Sequence, residues 1–221
     1  MDLFLTGLKF FITVVASLLP IINPISTMPL FLSLTDRTPD AYRRQQARKC
    51  CLYAFSILAT FLIAGHGIIA MLGISLAGIR VAGGLILLVS SARMLFSGDS
   101  EASSVSEDVE EMRRARIDYS FSPLAMPIMS GPGSIAAVLS FASEVPEDQV
   151  IGGYIIILLG VAAVIGLTYV VLRFATLLSR FLGPQGVSAT TKIMGFLLAC
   201  ISVQIIASGV MDFIKEGMAA I

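Results

Sequence analysis

The chain has 221 residues, of which 56% are hydrophobic and only 14% are charged, and its mean hydropathy is +0.89. A soluble domain carries about a quarter charged residues, so this composition excludes an ordinary soluble protein. The formal net charge is zero and indicates nothing about partners.

Six apolar stretches are candidate membrane spans, because a bilayer core of ~30 Å requires about 20 apolar residues per helix. They cover residues 8–34, 50–72, 77–96, 121–142, 150–172 and 192–211. Apolar residues occur on all sides of these segments, as in helices surrounded by lipid or by protein. We therefore predict an all-α polytopic membrane protein with six transmembrane helices.

The first span contains a proline-rich stretch, SLLPIINPISTMPLF (residues 17–31). Proline removes a backbone donor, and carbonyls freed in hydrocarbon have no water to bond to. We expect the helix to break near residues 20–25, and again near 128–133, where each break faces an enclosed polar cavity. A cleaved signal peptide is the alternative; the acidic Asp2 and an apolar run that continues to Pro20 argue against it.

Motifs of the first half recur in the same order in the second half. NPIS (23–26) recurs as GPGS (131–134), and RVAGGLI (80–86) recurs as KIMGFLL (192–198). Each half holds three spans, an odd number, so the second half must enter the membrane from the opposite side. We predict two inverted three-helix repeats with broken first and fourth helices, at residues 1–97 and 121–221, joined by a charged cytoplasmic linker at 98–120.

Broken helices in corresponding halves are typical of substrate sites in secondary transporters. We expect Ser26 and Ser134 to cap the half-helices that follow the prolines, whose N-terminal N–H groups suit a carboxylate. Gly131 and Gly133 would let a ligand approach the backbone. The candidate substrate-binding residues are Asn23, Pro24, Ser26, Ser130, Gly131, Pro132, Gly133 and Ser134.

Arg80 and Lys192 are candidate cavity charges at span ends, although such side chains usually extend to the lipid headgroups. No Asp or Glu lies in mid-membrane, so we expect no carboxylate proton relay. The three cysteines lack metal-type spacing, and phosphate-loop and nucleic-acid patterns are absent. We therefore expect no cofactor, no metal, no nucleic-acid partner and no enzymatic activity. The expected partners are the bilayer and a small solute; oligomerisation and a coupling ion, sodium or proton, are left open.

The chain resembles the MarC family of bacterial inner-membrane proteins over nearly its whole length. The resemblance rests on NPISTMPLFLSLT in the first span, PLAMPIMSGPGSI in the fourth, and the basic segment DAYRRQQARK. It implies a LysE-superfamily-like transporter fold, with some relatives assigned to the transport of small neutral amino acids. The function favoured by the sequence is secondary transport of a neutral amino acid or a similar small carboxylate-bearing metabolite.

Three other functions remain open. A membrane thiol-redox carrier needs a cysteine pair at the breaks, where this chain has asparagine, serine and glycine. An intramembrane serine protease would use Ser130 or Ser134 with His66, the only histidine. A passive channel is not distinguished from a transporter by sequence.

Loop charges predict the orientation of the chain in the membrane. The side reached after the first, third and fifth spans holds eleven Lys and Arg residues, and the opposite side holds three. The eleven are Arg37, Arg43, Arg44, Arg48, Lys49, Arg93, Arg113, Arg114, Arg116, Arg173 and Arg180, and the three are Lys9, Arg80 and Lys215. By the positive-inside rule, both termini lie outside, and residues 35–49 and 98–120 are cytoplasmic.

This orientation predicts the sidedness of chemical labelling. Single cysteines placed at Ser104 and at Ala220, in a variant without native cysteines, should react with an impermeant maleimide from opposite sides of the membrane. Reaction of both from the same side would contradict the predicted topology.

Overall fold

The computed structural model describes residues 2–36, 38–96, 118–146 and 149–219, and these residues form helices and short connections without any strand. The helices are α1 (Asp2–Ile22), α2 (Pro24–Leu34), α3 (Asp40–Leu72), α4 (Leu76–Phe96), α5 (Ser120–Met129), α6 (Pro132–Ser143), α7 (Val150–Arg173) and α8 (Ala175–Ala219). Most of the predicted linker, 98–117, lies outside the described residues, as does the side chain of His66.

The helices account for the predicted spans. Within the described residues five spans are long and apolar enough to cross a membrane, the first formed by α1 and α2 together, and α5 with α6 makes a sixth, bent by 55°. Two boundaries were predicted wrongly. The basic segment 40–49 is the first part of α3 rather than a loop, and α8 begins at Ala175, well before the predicted residue 192, with its helical torsions interrupted at Gly183 (φ 64°, ψ 174°). The inverted relation of the two halves stays a prediction.

Both predicted helix breaks are confirmed. At the first, α1 ends at Ile22 and Asn23 adopts a left-handed conformation (φ 42°, ψ 75°) before α2 starts at Pro24. At the second, α6 starts at Pro132 after an extended Gly131. The irregularity there reaches further back than predicted, since α5 has wide π-type turns with extended torsions at Ser122 and Met126. Each of these two residues precedes a proline, which disfavours the helical conformation of its neighbour.

A polar tether fixes the start of α5 against α3. Lys49 Nζ lies 2.8 Å from a carboxylate oxygen of Asp118, and the backbone N–H of Ser120 donates to the same carboxylate at 3.0 Å. Burial opposes ionisation of this carboxyl, but the hydrogen bonds from Lys49 and Ser120 outweigh it and hold the pKa of Asp118 below its usual range.

Glycines bring α4 close to its neighbours α6 and α8. A Cβ added at Gly83 would lie 2.1 Å from the Cβ of Ala136 on α6, and one added at Gly84 would lie 2.5 Å from Cγ1 of Ile206 on α8. Small residues permit this approach of helix backbones in membranes. Because Ala136 lies on the first turns of α6, the contact with Gly83 positions the second helix break.

Adding a methyl group at Gly83 should therefore destabilise the bundle. We expect Gly83→Ala to lower the free energy of unfolding in detergent by about 1–3 kcal/mol, as overpacked cores do. Gly166→Ala is the matched control, because a Cβ at Gly166 meets nothing within 4 Å and alanine favours helix. Equal loss of stability in the two variants, measured by denaturant-induced loss of helical circular dichroism, would show that the close contact is unimportant.

Candidate functional site

A cavity of about 490 Å³ lies between the two helix breaks and is lined by residues of α1, α2, α4, α5, α6 and α8. We refer to it as the break cavity. Six of the eight predicted site residues line it: Asn23, Ser26, Gly131, Pro132, Gly133 and Ser134. The other two, Pro24 and Ser130, are buried beside it. The two proline motifs, 108 residues apart in sequence, are thus brought together.

Asn23 holds the first break in place. Its side-chain oxygen accepts a hydrogen bond from the backbone N–H of Ser26 at 3.2 Å, and its Nδ2 donates to Ser26 Oγ at 2.8 Å. A longer contact of 3.7 Å joins Nδ2 to the sulfur of Met94 on α4. Asn23 is therefore the N-cap of α2. The Nδ2 N–H that faces Met94 makes the longest of these contacts, so it is the donor that a ligand would take most easily.

The expectation that Ser26 and Ser134 cap the half-helices was wrong. The caps lie before the prolines, at Asn23 and Gly131, because proline takes the first helical position, where no N–H is needed. Ser26 Oγ instead donates to Thr191 on α8 at 3.0 Å. Ser134 Oγ donates to the carbonyl oxygen of Met129 at 3.0 Å, across the second break.

The two half-helix N-termini differ in a way that matters for ligands. The first turn of α2 is capped by the Asn23 side chain, whereas α6 has no side-chain cap. The N–H groups of Gly133 and Ser134 precede the first hydrogen bond of α6, from Ile135 N to Gly131 O, and both residues line the cavity. The positive end of the α6 dipole therefore faces the break cavity.

Packing accounts for the two glycines of the second motif. A Cβ at Gly131 would lie 2.3 Å from the carbonyl oxygen of Pro127, and one at Gly133 would lie 2.3 Å from Cδ2 of Leu87 on α4. Glycine is needed at both positions for the chain to fold back on α5 and to pack on α4. These two glycines were expected from the sequence to let a ligand approach the backbone, but packing alone is enough to explain them.

Among the residues that the structure describes, Arg93 of α4 is the charged residue that lines the break cavity, and no acidic residue lines it. Sequence reasoning counted Arg93 only as a loop charge. The 3–4-residue periodicity of α4 could have identified Arg93 as a cavity residue, because it places Arg93 on the same face as Leu87, Ser90 and Met94, which also line the cavity. The electrostatic character of the cavity is therefore positive.

Neither predicted cavity charge lines the break cavity. Arg80 does not extend to the headgroups; it is 8% exposed and forms an ion pair with Asp212 of α8. It also donates to Ser140 Oγ at 3.1 Å and to Ser143 Oγ on α6. A buried guanidinium requires such partners, so Arg80 ties α4, α6 and α8 together. Lys192, its predicted counterpart, is exposed.

A second, smaller cavity of about 130 Å³ lies on the other side of the breaks along the bundle axis. Polar side chains from α1, α8 and the end of α6 line it: Thr13, Ser17, Ser140, Glu144, Gln204 and Ser208. We call it the Glu144 cavity. Ile21, two residues before the first break, lines both cavities. The two polar spaces therefore approach each other at Ile21.

Comparison with known proteins gives one family. A family model described as MarC family integral membrane protein matches residues 8–214. The UPF0056 membrane protein YvbG of Bacillus subtilis is 35% identical over 201 residues, covering 91% of this chain and 94% of that protein. The UPF0056 inner membrane protein MarC of Citrobacter koseri is 37% identical over 206 residues, covering 90% and 92% respectively. No solved structure matches the chain significantly.

The capping role of Asn23 predicts a specific pattern of stability. Asn23→Ala should lower the free energy of unfolding by about 1–2 kcal/mol, because it removes the cap and because alanine tolerates positive φ less well than asparagine. Asn23→Gly should cost only a few tenths of a kcal/mol, since glycine tolerates this backbone conformation. Denaturant unfolding in detergent measures both, and a glycine variant as unstable as the alanine variant would contradict the assignment.

Proposed function

The chain belongs to the MarC family of integral membrane proteins, and we propose that it is a secondary transporter of a small solute that carries a carboxylate, a neutral amino acid or a similar metabolite. The observation that carries this proposal is the break cavity, in which both interrupted helices meet. Interrupted helices facing one polar cavity are a recurrent way of binding small solutes within a membrane. The names of relatives place the family in the bacterial inner membrane.

The charges around the cavity support a carboxylate ligand. Arg93 and the uncapped N-terminus of α6 supply positive potential. The end of α1, at Ile22, brings the negative end of another helix dipole to the first break. A zwitterion such as a neutral amino acid has groups that complement both signs. A coupling ion, sodium or proton, remains open.

The pair of cavities favours a carrier over a passive channel. The break cavity lies toward the end of α4 that bears Arg93, and the Glu144 cavity lies toward the opposite end of the bundle. The apolar side chain of Ile21 stands where they approach. Access alternating between two polar cavities, with a barrier between them, is what a carrier requires.

The site chemistry gives little support to the enzymatic alternatives. No cysteine lines the break cavity; Cys50 and Cys51 are buried elsewhere and Cys200 is exposed. The hydroxyls of Ser130 and Ser134 donate to backbone carbonyls of Ala125 and Met129, rather than to a base among the described side chains. A serine nucleophile needs such a base.

Transport by purified protein tests the proposal. Proteoliposomes should take up labelled neutral amino acids in a saturable way, measured with and without sodium and proton gradients. Arg93→Gln should raise the half-saturation concentration about fivefold, the equivalent of ~1 kcal/mol, the upper end for a charge pair with an exposed side chain such as that of Arg93.

Lys192→Gln is the matched control for this measurement, because Lys192 is exposed and does not line the break cavity. It should leave transport unchanged. If both substitutions changed the half-saturation concentration equally, Arg93 would not be part of the solute site. Absence of saturable uptake or exchange for every carboxylate-bearing solute in the panel would overturn the proposed function.

A further inference from the structure

Three arginines surround a separate cavity of about 210 Å³ at the end of the bundle where α3 begins and α7 ends. Arg43 and Arg44 come from the first turns of α3, and Arg173 is the last residue of α7. The remaining lining residues are Asp40, Leu172, Phe174, Thr176 and Leu177. We call this cavity the arginine pocket. It shares no lining residue with the break cavity.

The arginine pocket has more positive charge than its own acidic residue offsets. Asp40 is the one acidic residue among the described residues that line it. Its carboxylate lies 3.7 Å from Arg43 Nη1, and its side chain is 80% exposed. An ion pair so long and so exposed contributes little. Within the described part of the chain, Arg44 forms one hydrogen bond, from its Nε to the backbone carbonyl of Asp40 at 3.3 Å. Three guanidinium groups thus face one weakly engaged carboxylate.

Arg43 is held rigidly and still lacks a full set of acceptors. Its Nη1 donates to Thr176 Oγ1 at 3.0 Å, and its Nη2 lies 3.4 Å from the carbonyl oxygen of Thr35. Its Nε is buried and has no hydrogen-bond partner among the described residues. Guanidinium groups bind the oxygens of phosphate in a forked geometry. An oxyanion in the pocket would supply further acceptors to the guanidinium groups of Arg43, Arg44 and Arg173 that line it, whereas the buried Nε of Arg43 lies out of its reach.

The position of the pocket favours a lipid as the source of that phosphate. The pocket lies where α3 begins and α7 ends. Its edge carries two exposed apolar side chains, Phe174 (54% exposed) and Leu177 (68% exposed). Loop charges assign this end to the cytoplasmic face. Basic pockets between helices at that face suit anionic headgroups, with acyl chains along the neighbouring apolar surface.

We propose that the arginine pocket binds the phosphate of an anionic phospholipid, whose acyl chains lie against Phe174 and Leu177. Arg44 and Arg173 contact the phosphate together with Arg43, which Thr35 and Thr176 hold in place. The site is independent of solute transport through the break cavity, and failure of either proposal leaves the other standing.

Lipid binding to the delipidated full-length protein in detergent tests this proposal. Native mass spectrometry would titrate phosphatidylglycerol, with phosphatidylcholine as the zwitterionic lipid of equal chain length. The variant is Arg44→Gln with Arg173→Gln, which spares Arg43 and its helix contacts. The matched control is Arg48→Gln with Arg180→Gln, two exposed arginines at the same end that do not line the pocket.

We expect wild-type protein and the control to bind phosphatidylglycerol tightly, and the Arg44/Arg173 variant to bind about 30-fold more weakly, the equivalent of ~2 kcal/mol for two interfacial charges. Equal binding of phosphatidylcholine, or equal weakening in both double variants, would overturn the site. A parallel titration with inorganic phosphate distinguishes a lipid headgroup from free phosphate as the ligand. Arginine-dependent binding of phosphate without binding of phosphatidylglycerol would overturn the lipid assignment.

Discussion

Inside a bilayer every backbone N–H and C=O must find a partner within the protein or face a wet cavity, and this requirement shapes the two helix breaks. At the first break, Asn23 N still donates to Leu19 O, and the Asn23 side chain receives Ser26 N, so few groups are left over. At the second, Ser130 N donates to Ala125 O, but α6 begins without a side-chain cap. One break is closed and the other offers donors, which gives the break cavity its polarity.

The features predictable from sequence were those set by local chemistry. Apolar length predicted the spans and proline predicted both breaks, because neither depends on distant residues. The caps were predicted wrongly because the serine after each proline was taken to be the cap. Asn-Pro is itself the pattern of an N-cap residue followed by the first helical residue. The partner of Arg80 was beyond sequence reasoning, since Asp212 lies 132 positions away and no local pattern marks the pair. Arg93 was missed because a charge at a span end is ordinary.

Helix α6 borders both the break cavity and the Glu144 cavity. Its first residues line the break cavity, while Ser140 lines the Glu144 cavity and accepts from Arg80. Gly83 and Gly133 pack α6 closely against α4, which in turn packs most extensively against α8. Because interiors this tightly packed transmit small shifts, a displacement of α6 alters both cavities together.

The pairing of Arg80 with Asp212 also imposes an order on biosynthesis. Ribosomes add about 5–20 residues per second, so the 132 intervening residues separate the emergence of the two charges by roughly 7–26 s. During that interval α4 carries, in its first turns, an arginine whose neutralising carboxylate does not yet exist. A lone arginine in a membrane helix is unfavourable, by about 2.5–3.5 kcal/mol at mid-span and by less near a span end, so the burial of Arg80 is completed only when the last helix arrives.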